Sequence, residues 1–178
     1  KLKKRKVKLP VKVWFLTIPA RRKEYDSKLG PTVEGKDGNF YAFQVSGIQN
    51  VGMGEQVYRM NRAKNLKEFK DAMRLKQFSS INFIYADKAD NIYYLHNANY
   101  PVRNNKHDWL GILPGDTSAV KWKAFVKFED MIQYENPGCG HLSNFNHSPF
   151  LATCAEDNHQ PSDYPKWYGA QELANCRA

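Results

Sequence analysis

The stretch INFIYADKADNIYYLH, residues 81–96, decides the fold class that the sequence predicts. Residues 81–86 and 92–96 are apolar segments rich in β-branched and aromatic side chains, and DKAD with Asn91 separates them. Such side chains favour strands, whereas Asp and Asn favour tight turns. The stretch therefore predicts an antiparallel β-hairpin.

One clear helix is predicted before this hairpin. Asn65 and Glu68 form the Asn-x-x-Glu pattern of a capping box, which marks the start of a helix. The residues that recur at helical spacing behind this cap are apolar: Leu66, Phe69, Ala72 and Met73. This stripe predicts a helix that packs one face against a sheet.

The first part of the chain is predicted to form strands. Residues 7–25 begin with alternating apolar and basic side chains, and residues 40–47 alternate again. Between them, residues 28–39 contain Gly-Pro and Lys-Asp-Gly-Asn, which are turn signals.

The second part of the chain gives weaker signals. Residues 103–125 are polar and contain Pro-Gly, which predicts a loop, and a short helix is predicted from Phe128 to Asn136. Taken together, the patterns predict an α+β fold, mainly antiparallel sheet with a few helices, in a single segment spanning residues 1–178.

The segment HLSNFNHSPF, residues 141–150, alternates apolar and polar residues and then reaches Pro149. Read as a strand, it places Asn144 and Asn146 on the same face. An uncharged amide donor at a strand end is suited to binding the negative oxygen of a tetrahedral intermediate. The alternative is structural, in which these side chains satisfy buried backbone or form an Asx turn before Pro149.

The net charge of +9 raises the question of a nucleic-acid partner. Six of the 27 basic residues lie within residues 1–8, and without them the excess over 18 acidic residues is 27 − 6 − 18 = +3. A solvated strand face or edge explains this arm, and an anionic partner is the alternative. Since no zinc-finger or RNP-like motif and no membrane-length apolar run occurs, we expect neither nucleic-acid binding nor a membrane span.

Three cysteines, Cys139, Cys154 and Cys176, occur without a Cys-x-x-Cys motif. Cys139 and Cys154 could form a disulfide if the segment between them turns back, and Cys176 would then be left over. The five histidines lack metal-binding spacing. We therefore expect no metal and no cofactor.

Several segments, taken in order, resemble the β-chain of penicillin acylase-type enzymes, in particular the group that includes aculeacin and acyl-homoserine-lactone acylases. The similar stretches are residues 38–40, 58–73, 81–103 and 114–153, so the resemblance spans nearly all of the chain. The five motifs within them are residues 82–94, 101–103, 114–122, 128–131 and 136–150. Asn91 stands where the family usually has Gly, KAF where Trp-x-Gly is usual, and Cys139 and His147 are unusual for the family. These departures indicate a divergent member.

The resemblance implies an N-terminal nucleophile hydrolase, with a four-layer αββα sandwich of which this chain forms part. In that family the first residue of the β-chain, typically Ser, is the nucleophile and its own α-amine is the base. By the family pattern, Asn146 is the oxyanion-hole donor and Arg177 helps to order the site. Phe145 and Asn144 correspond to positions near the substrate, and a place in the core is the alternative for Phe145.

Lys1 is not a nucleophile of this type, and the chain opens inside a predicted strand. We therefore expect a fragment of a periplasmic or secreted amidohydrolase, inactive alone, with the α-chain and the N-terminal part of the β-chain as partners and a small acyl amide as substrate. Two alternatives are a non-catalytic scaffold or binding module of the same fold, and a basic anion-binding domain.

Overall fold

The computed structural model describes residues 2–168, with the backbone alone for residues 97 and 98. The chain divides into two compact units. Unit 1 comprises residues 1–45 and 114–121, and unit 2 comprises residues 46–113 and 122–178. From the sequence, residues 1–178 are predicted to be one segment of a longer protein, which concerns the extent of the chain and not its division into compact units, and this stays a prediction.

Unit 1 is built on an antiparallel sheet in the order β1-β2-β3-β4. Its strands are β1 (Lys3–Val13), β2 (Leu16–Ser27), β3 (Gly30–Glu34) and β4 (Phe40–Ala42). The predicted strand character is confirmed, but residues 7–25 are not continuous because the chain turns back at Trp14 and Phe15. Residues 28–39 contain β3 in addition to turns, because Gly30 and Pro31 begin this strand and only residues 36–39 form a turn after it.

The β1–β2 hairpin carries an unusual cross-strand pair. Pro10 lies directly opposite Pro19, so neither partner of this pair has a backbone N–H. At the tip, Trp14 has a φ of 53°, and its side chain is 86% exposed. A positive φ at the first residue of a two-residue turn is what a type II′ hairpin turn requires.

Gly30 opens β3 at a place where another residue would not fit. Its φ is 128°, and a Cβ atom there would lie 2.2 Å from the carbonyl oxygen of Phe43. Only glycine combines this backbone conformation with such a close approach. The tight connection from β2 to β3 therefore depends on this residue.

Unit 2 contains the predicted hairpin, formed by β5 (Ser80–Ala86) and β6 (Ile92–Ala98), and a third strand, β7 (Gln133–Glu135), pairs with β6. The predicted helix is α2 (Leu66–Met73). Asn65 caps it, since its Oδ1 accepts a hydrogen bond from the Glu68 N–H at 2.9 Å. Both sequence predictions are confirmed.

The core of unit 2 covers both faces of the β5-β6-β7 sheet: α2 packs on one face, and the buried rings of Tyr94 and Tyr134 lie on the other. Phe69 of α2 packs against the rings of Tyr85 and Tyr93, with centroid distances of 4.7 and 6.3 Å. The apolar stripe of α2 is buried together with side chains of β6 and of residues 126–134. Burying this stripe removes apolar surface from water, which is the main free-energy gain that fixes the helix on the sheet.

A second helix, α1 (Met53–Arg62), was not predicted. Its buried residue is Gln56, whose Oε1 accepts a hydrogen bond from the Gln77 N–H at 2.7 Å. The predicted helix from Phe128 to Asn136 is wrong. The chain makes one 3₁₀ turn, Phe128–Asp130, and then enters β7, because the backbone of β7 completes the edge of the sheet beside β6.

The prediction of an α+β fold with mainly antiparallel sheet is confirmed. Residues 103–125 are largely irregular, as predicted, with one 3₁₀ turn at Ser118–Val120. Across residues 2–168, no helix is both long and apolar enough to cross a bilayer.

Candidate active site

Residues 141–150, which we call the asparagine loop, do not form the predicted strand. Asn144 instead makes an Asx turn, because its Oδ1 accepts a hydrogen bond from the Asn146 N–H at 3.0 Å. Asn146 itself has a φ of 59°, in the left-handed region that asparagine tolerates better than most residues. The two asparagines therefore do not share a strand face, and the Asx turn considered as the structural alternative is present.

The ends of the asparagine loop are held together. Cys139 and Cys154 form a disulfide, which settles the pairing that the sequence left open. Inside this bridge, the Ser143 N–H donates to the Ala152 carbonyl at 2.8 Å, and the Thr153 hydroxyl donates to the His141 carbonyl at 2.8 Å. The loop is therefore fastened covalently and by hydrogen bonds on both sides.

The C-terminal part of the asparagine loop turns into the core. Ser148 accepts a hydrogen bond from the Phe150 N–H and caps the 3₁₀ turn Pro149–Leu151. The Pro149 carbonyl accepts a hydrogen bond from the buried hydroxyl of Tyr134 at 3.0 Å. The chain after Asn146 is therefore anchored to β7.

The N-terminal part of the loop is connected to the β5–β6 hairpin by side chains. The Asn82 Nδ2 donates to Asn144 Oδ1 at 3.1 Å, and Asn82 Oδ1 lies 2.5 Å from His96 Nδ1. The other ring nitrogen, His96 Nε2, is hydrogen-bonded to the Tyr100 hydroxyl. Four side chains thus link the sheet to the backbone of Asn146.

His96 is neutral in this arrangement. Its side chain is 6% exposed, and burial lowers the pKa of His96 to about 4, since a charged imidazole would lose its hydration. The neighbouring hydrogen bonds therefore operate with an uncharged ring across the neutral pH range.

The predicted substrate-side residues have different surroundings. Phe145 is 40% exposed, and its ring contacts that of the buried His147 edge-on at 5.7 Å. Asn144 is half-buried, and its Oδ1 serves the two hydrogen bonds within the protein described above. Their contacts with a substrate stay predictions.

Asn146 is exposed at the bend of the loop, and its role as an oxyanion donor also stays a prediction. Arg177 lies outside the described residues, as does Cys176. The structure therefore brings Asn144, Phe145 and Asn146 together in one loop and does not address the position of Arg177.

The residues behind the loop, Asn82, His96 and Tyr100, were not predicted as site residues. One signal for the first two was available in the hairpin pattern. The register that pairs Ala86 with Ile92 also places Asn82 directly opposite His96. Cross-strand partners share a face of the sheet, so their contact follows from the hairpin itself.

One other place in the described part of the chain offers less chemistry. A cleft beside α2 is bordered by charges that pair with one another, including Lys70 with Glu135 and Arg74 with Asp71. No residue of the asparagine loop lines this cleft. Within residues 2–168, no group of three or more His, Cys, Asp or Glu side chains is arranged to hold a metal ion.

Comparison with known proteins gives three consistent similarities. The family model for penicillin amidase matches residues 1–175. The chain is 39% identical to penicillin G acylase of Escherichia coli over 88 residues, which are 49% of this chain and 10% of that protein. Its fold resembles the thermostable penicillin G acylase from Alcaligenes faecalis, with a TM-score of 0.69 and 23% identity over 86% of this chain.

The matches also define how much of these proteins the chain represents. It covers 27% of the Alcaligenes faecalis chain and a tenth of the Escherichia coli protein. The family match spans nearly the whole sequence and includes both units and the asparagine loop. The resemblance noted from the five sequence segments is confirmed, and this chain belongs to the penicillin amidase family.

Proposed function

We propose that the protein containing this chain hydrolyses the amide bond between an acyl group and an amine, and that this chain supplies Asn146 as an oxyanion donor. Family membership supports the reaction class. The observation that carries the residue assignment is the asparagine loop, which exposes Asn146 at a left-handed backbone position fixed by the Asx turn of Asn144. Backbone conformations of this kind concentrate at functional sites.

The chemistry assigned to Asn146 follows from its amide. A nucleophile that attacks the substrate carbonyl forms a C–O bond and moves the π electrons onto the carbonyl oxygen, which becomes negative. The nucleophile would pass its proton to the base, and the Nδ2–H of Asn146 would donate to the negative oxygen. Collapse of the intermediate would then break the C–N bond, the amine would leave with the proton returned by the base, and water would cleave the acyl-enzyme. A donor held before the reaction stabilises the charge without reorganising, which is why a pinned loop suits the role.

The remaining parts of the site belong to the proposal as partners. The nucleophile, which in the resembling family is an N-terminal Ser whose α-amine acts as base, would come from the N-terminal part of the β-chain. The α-chain would complete the protein, and Arg177 would help to order the site. Phe145 and the amide nitrogen of Asn144 would face the acyl-amide substrate.

The compartment is proposed on the disulfide. The bond between Cys139 and Cys154 closes around the asparagine loop, and such bonds persist in oxidising environments such as the periplasm or the extracellular space. We therefore propose a periplasmic or secreted protein. Release of the protein in active form by osmotic shock, rather than only by cell lysis, would agree with the periplasmic location.

The proposed function is tested in the complete protein with chromogenic amides of short and long acyl chains. Asn146→Asp keeps the shape of the side chain but replaces the donor by a negative acceptor, and Asn146→Ala removes the group. We expect kcat to fall about a hundredfold or more in both variants with KM little changed. Asn104→Asp, at an exposed amide elsewhere in unit 2, is the matched control and should leave kcat unchanged.

The outcomes separate the proposal from the scaffold alternative. Full activity in Asn146→Ala would remove the oxyanion assignment. A complete, folded wild-type protein that cleaves neither short- nor long-chain amides would favour the non-catalytic scaffold or binding module.

A second candidate, binding of an anionic polymer, is favoured by the exposed basic side chains of β1. Salt-dependent retention on heparin that is lost on deletion of residues 1–8 would support it. Each phosphate or sulfate contact contributes to the salt dependence, so retention that does not change with salt would contradict it.

A further inference from the structure

We propose that His96, Asn82 and Asn144 act together as positioning residues that fix the asparagine loop so that Asn146 is aimed at the oxyanion. This inference rests on the proposed function of Asn146. It assigns a role to two residues of the β5–β6 hairpin, Asn82 and His96, that lie outside the loop itself.

The first link is set by the register of the hairpin. Asn82 of β5 and His96 of β6 are direct cross-strand partners, so their side chains lie side by side on one face of the sheet. Asn82 Oδ1 lies 2.5 Å from His96 Nδ1. Because an amide oxygen can only accept, the hydrogen of this bond belongs to His96 Nδ1.

This requirement selects one tautomer of His96. With the hydrogen on Nδ1 and the ring neutral, Nε2 carries a lone pair and accepts from the Tyr100 hydroxyl. The burial that keeps His96 uncharged preserves this assignment around neutral pH. Each residue then donates to the next, Tyr100 to His96 and His96 to Asn82.

The second link is the hydrogen bond that connects Asn82 to the asparagine loop. The Nδ2–H of Asn82 donates to Asn144 Oδ1 at 3.1 Å, and the N–H of Asn146 donates to the same oxygen at 3.0 Å. One carbonyl oxygen is therefore held from the sheet on one side and holds the loop backbone on the other. The β5–β6 strand pair thereby restrains the position of the Asn146 backbone.

This restraint on the backbone matters because the direction of a side chain depends on its backbone conformation. Asn146 occupies the left-handed region, which asparagine tolerates better than most residues, and the Asx turn of Asn144 favours this conformation here. A donor that stabilises an oxyanion has to be held within about half an ångström of its working position. The chain of hydrogen bonds provides that restraint at the residue next to the bend.

The decisive variant is Asn82→Asp in the complete protein. Aspartate has the same shape and still accepts from His96 Nδ1, but it cannot donate to Asn144 Oδ1. We expect kcat to fall about tenfold or more while KM stays within about twofold. Tyr85→Phe is the control, because it removes a hydrogen bond of β5 to Asp87 without touching these residues, and kcat should be unchanged.

A double-mutant cycle links this effect to Asn146. If Asn82 acts by positioning Asn146, Asn82→Asp should change kcat less than about twofold in an Asn146→Ala background. Equal losses in both backgrounds would overturn the proposal. Unchanged kcat in Asn82→Asp beside a large loss in Asn146→Ala would overturn the positioning alone, whereas unchanged kcat in Asn146→Ala would overturn the proposed function as well.

A second measurement is made on the complete protein and needs no activity. ¹⁵N NMR of the His96 ring should show one neutral tautomer with the hydrogen on Nδ1, and the signal should stay neutral at pH 6. A ring with the hydrogen on Nε2 could not donate to Asn82 and would overturn the proposal, even if the Asn82 variant fails to fold.

Discussion

Removal of the disulfide between Cys139 and Cys154 is the perturbation whose effect on stability can be worked out most directly. The bond joins residues 15 apart in sequence. Closing a loop of about 15 residues lowers the entropy of the unfolded chain by roughly 10 cal/mol/K, which corresponds to about 3 kcal/mol at 25 °C. We therefore expect Cys139→Ser/Cys154→Ser to lower the free energy of unfolding of unit 2 by about 3 kcal/mol.

The assay is urea unfolding followed by tryptophan fluorescence. The background carries Cys176→Ser, which prevents thiol exchange, and Trp14→Phe, which removes the tryptophan of unit 1. The remaining tryptophans, Trp109, Trp122 and Trp167, then report on unit 2. With an m value of about 2 kcal/mol/M, the loss corresponds to a shift of the midpoint by about 1.5 M.

Two results would refute this reasoning. A midpoint shift below about 0.5 M would mean that residual structure already restricts the unfolded chain, so that the disulfide removes little further entropy from it. Titration of three free thiols in the unreduced wild-type chain, instead of one, would mean that the bond does not form. In the complete protein, reduction should also lower kcat, since the loop that carries Asn146 would lose its covalent closure.

Three further outcomes concern unit 2 and are measured by the same unfolding assay. Asn65→Ala should cost about 1 kcal/mol because the cap of α2 is lost, whereas Asn65→Asp, which can still accept from the Glu68 N–H, should be nearly neutral. Phe69→Ala should cost about 3–5 kcal/mol because this core ring is 6% exposed, and Phe69→Leu should cost clearly less. Folding lowers the pKa of His96 to about 4, so between pH 6.5 and pH 4 the unfolded chain binds a proton that the folded chain does not. The free energy of unfolding should therefore be independent of His96 above pH 6.5 and fall by up to about 1.4 kcal/mol per pH unit as the pH is lowered towards 4. His96→Gln should remove this part of the slope, and an unchanged slope would contradict it.

The elements that sequence predicted well are those determined by neighbouring residues. α2 follows from the cap at Asn65 and an apolar stripe on one face, and the β5–β6 hairpin follows from two apolar segments around an Asp-rich turn. Each of the two patterns is contained in one short continuous segment of the chain. Their local preferences and their tertiary environments agree, which is the condition under which such predictions succeed.

The elements that sequence missed depend on partners far along the chain. α1 has only a short apolar stripe, Met53, Val57 and Met60, behind a Gly without a side-chain cap, and its one buried residue is Gln56, which bonds to the backbone of Gln77. β7 forms because β6 offers it an open edge about 40 residues earlier, so the local helical signal after Phe128 is overridden. Neither partner is visible in the segment itself.

The candidate site was predicted by residue but not by conformation. Alternation of apolar and polar residues in 141–150 fits a strand, but it fits an Asx turn equally well. What distinguishes them is the bond from Asn82 to Asn144, 62 residues apart in sequence, together with the disulfide around the loop. The family resemblance points to Asn146 as the proposed oxyanion donor because it compares residue types and order, which do not require the loop geometry.

The opposed prolines of the β1–β2 hairpin have a consequence for aggregation. In an antiparallel pair, residues alternate between hydrogen-bonded and non-hydrogen-bonded positions. Counting from the hydrogen-bonded pair Val13 and Leu16 that closes the turn, Pro10 and Pro19 fall on a non-hydrogen-bonded pair, so each would have pointed its N–H away from the hairpin. The two prolines therefore remove no hydrogen bond between β1 and β2.

The outer edges, in contrast, each lose a donor. β1 is the edge of its sheet. Within the described residues β2 pairs with β3 only from Tyr25 onward, so the part of the β1–β2 hairpin near Trp14 has two open edges. A proline on each edge interrupts the row of donors that a second strand would need. The hairpin can thus expose Trp14 at its tip and still resist growth into an intermolecular sheet, and replacing both prolines by threonine should make the chain self-associate in light scattering.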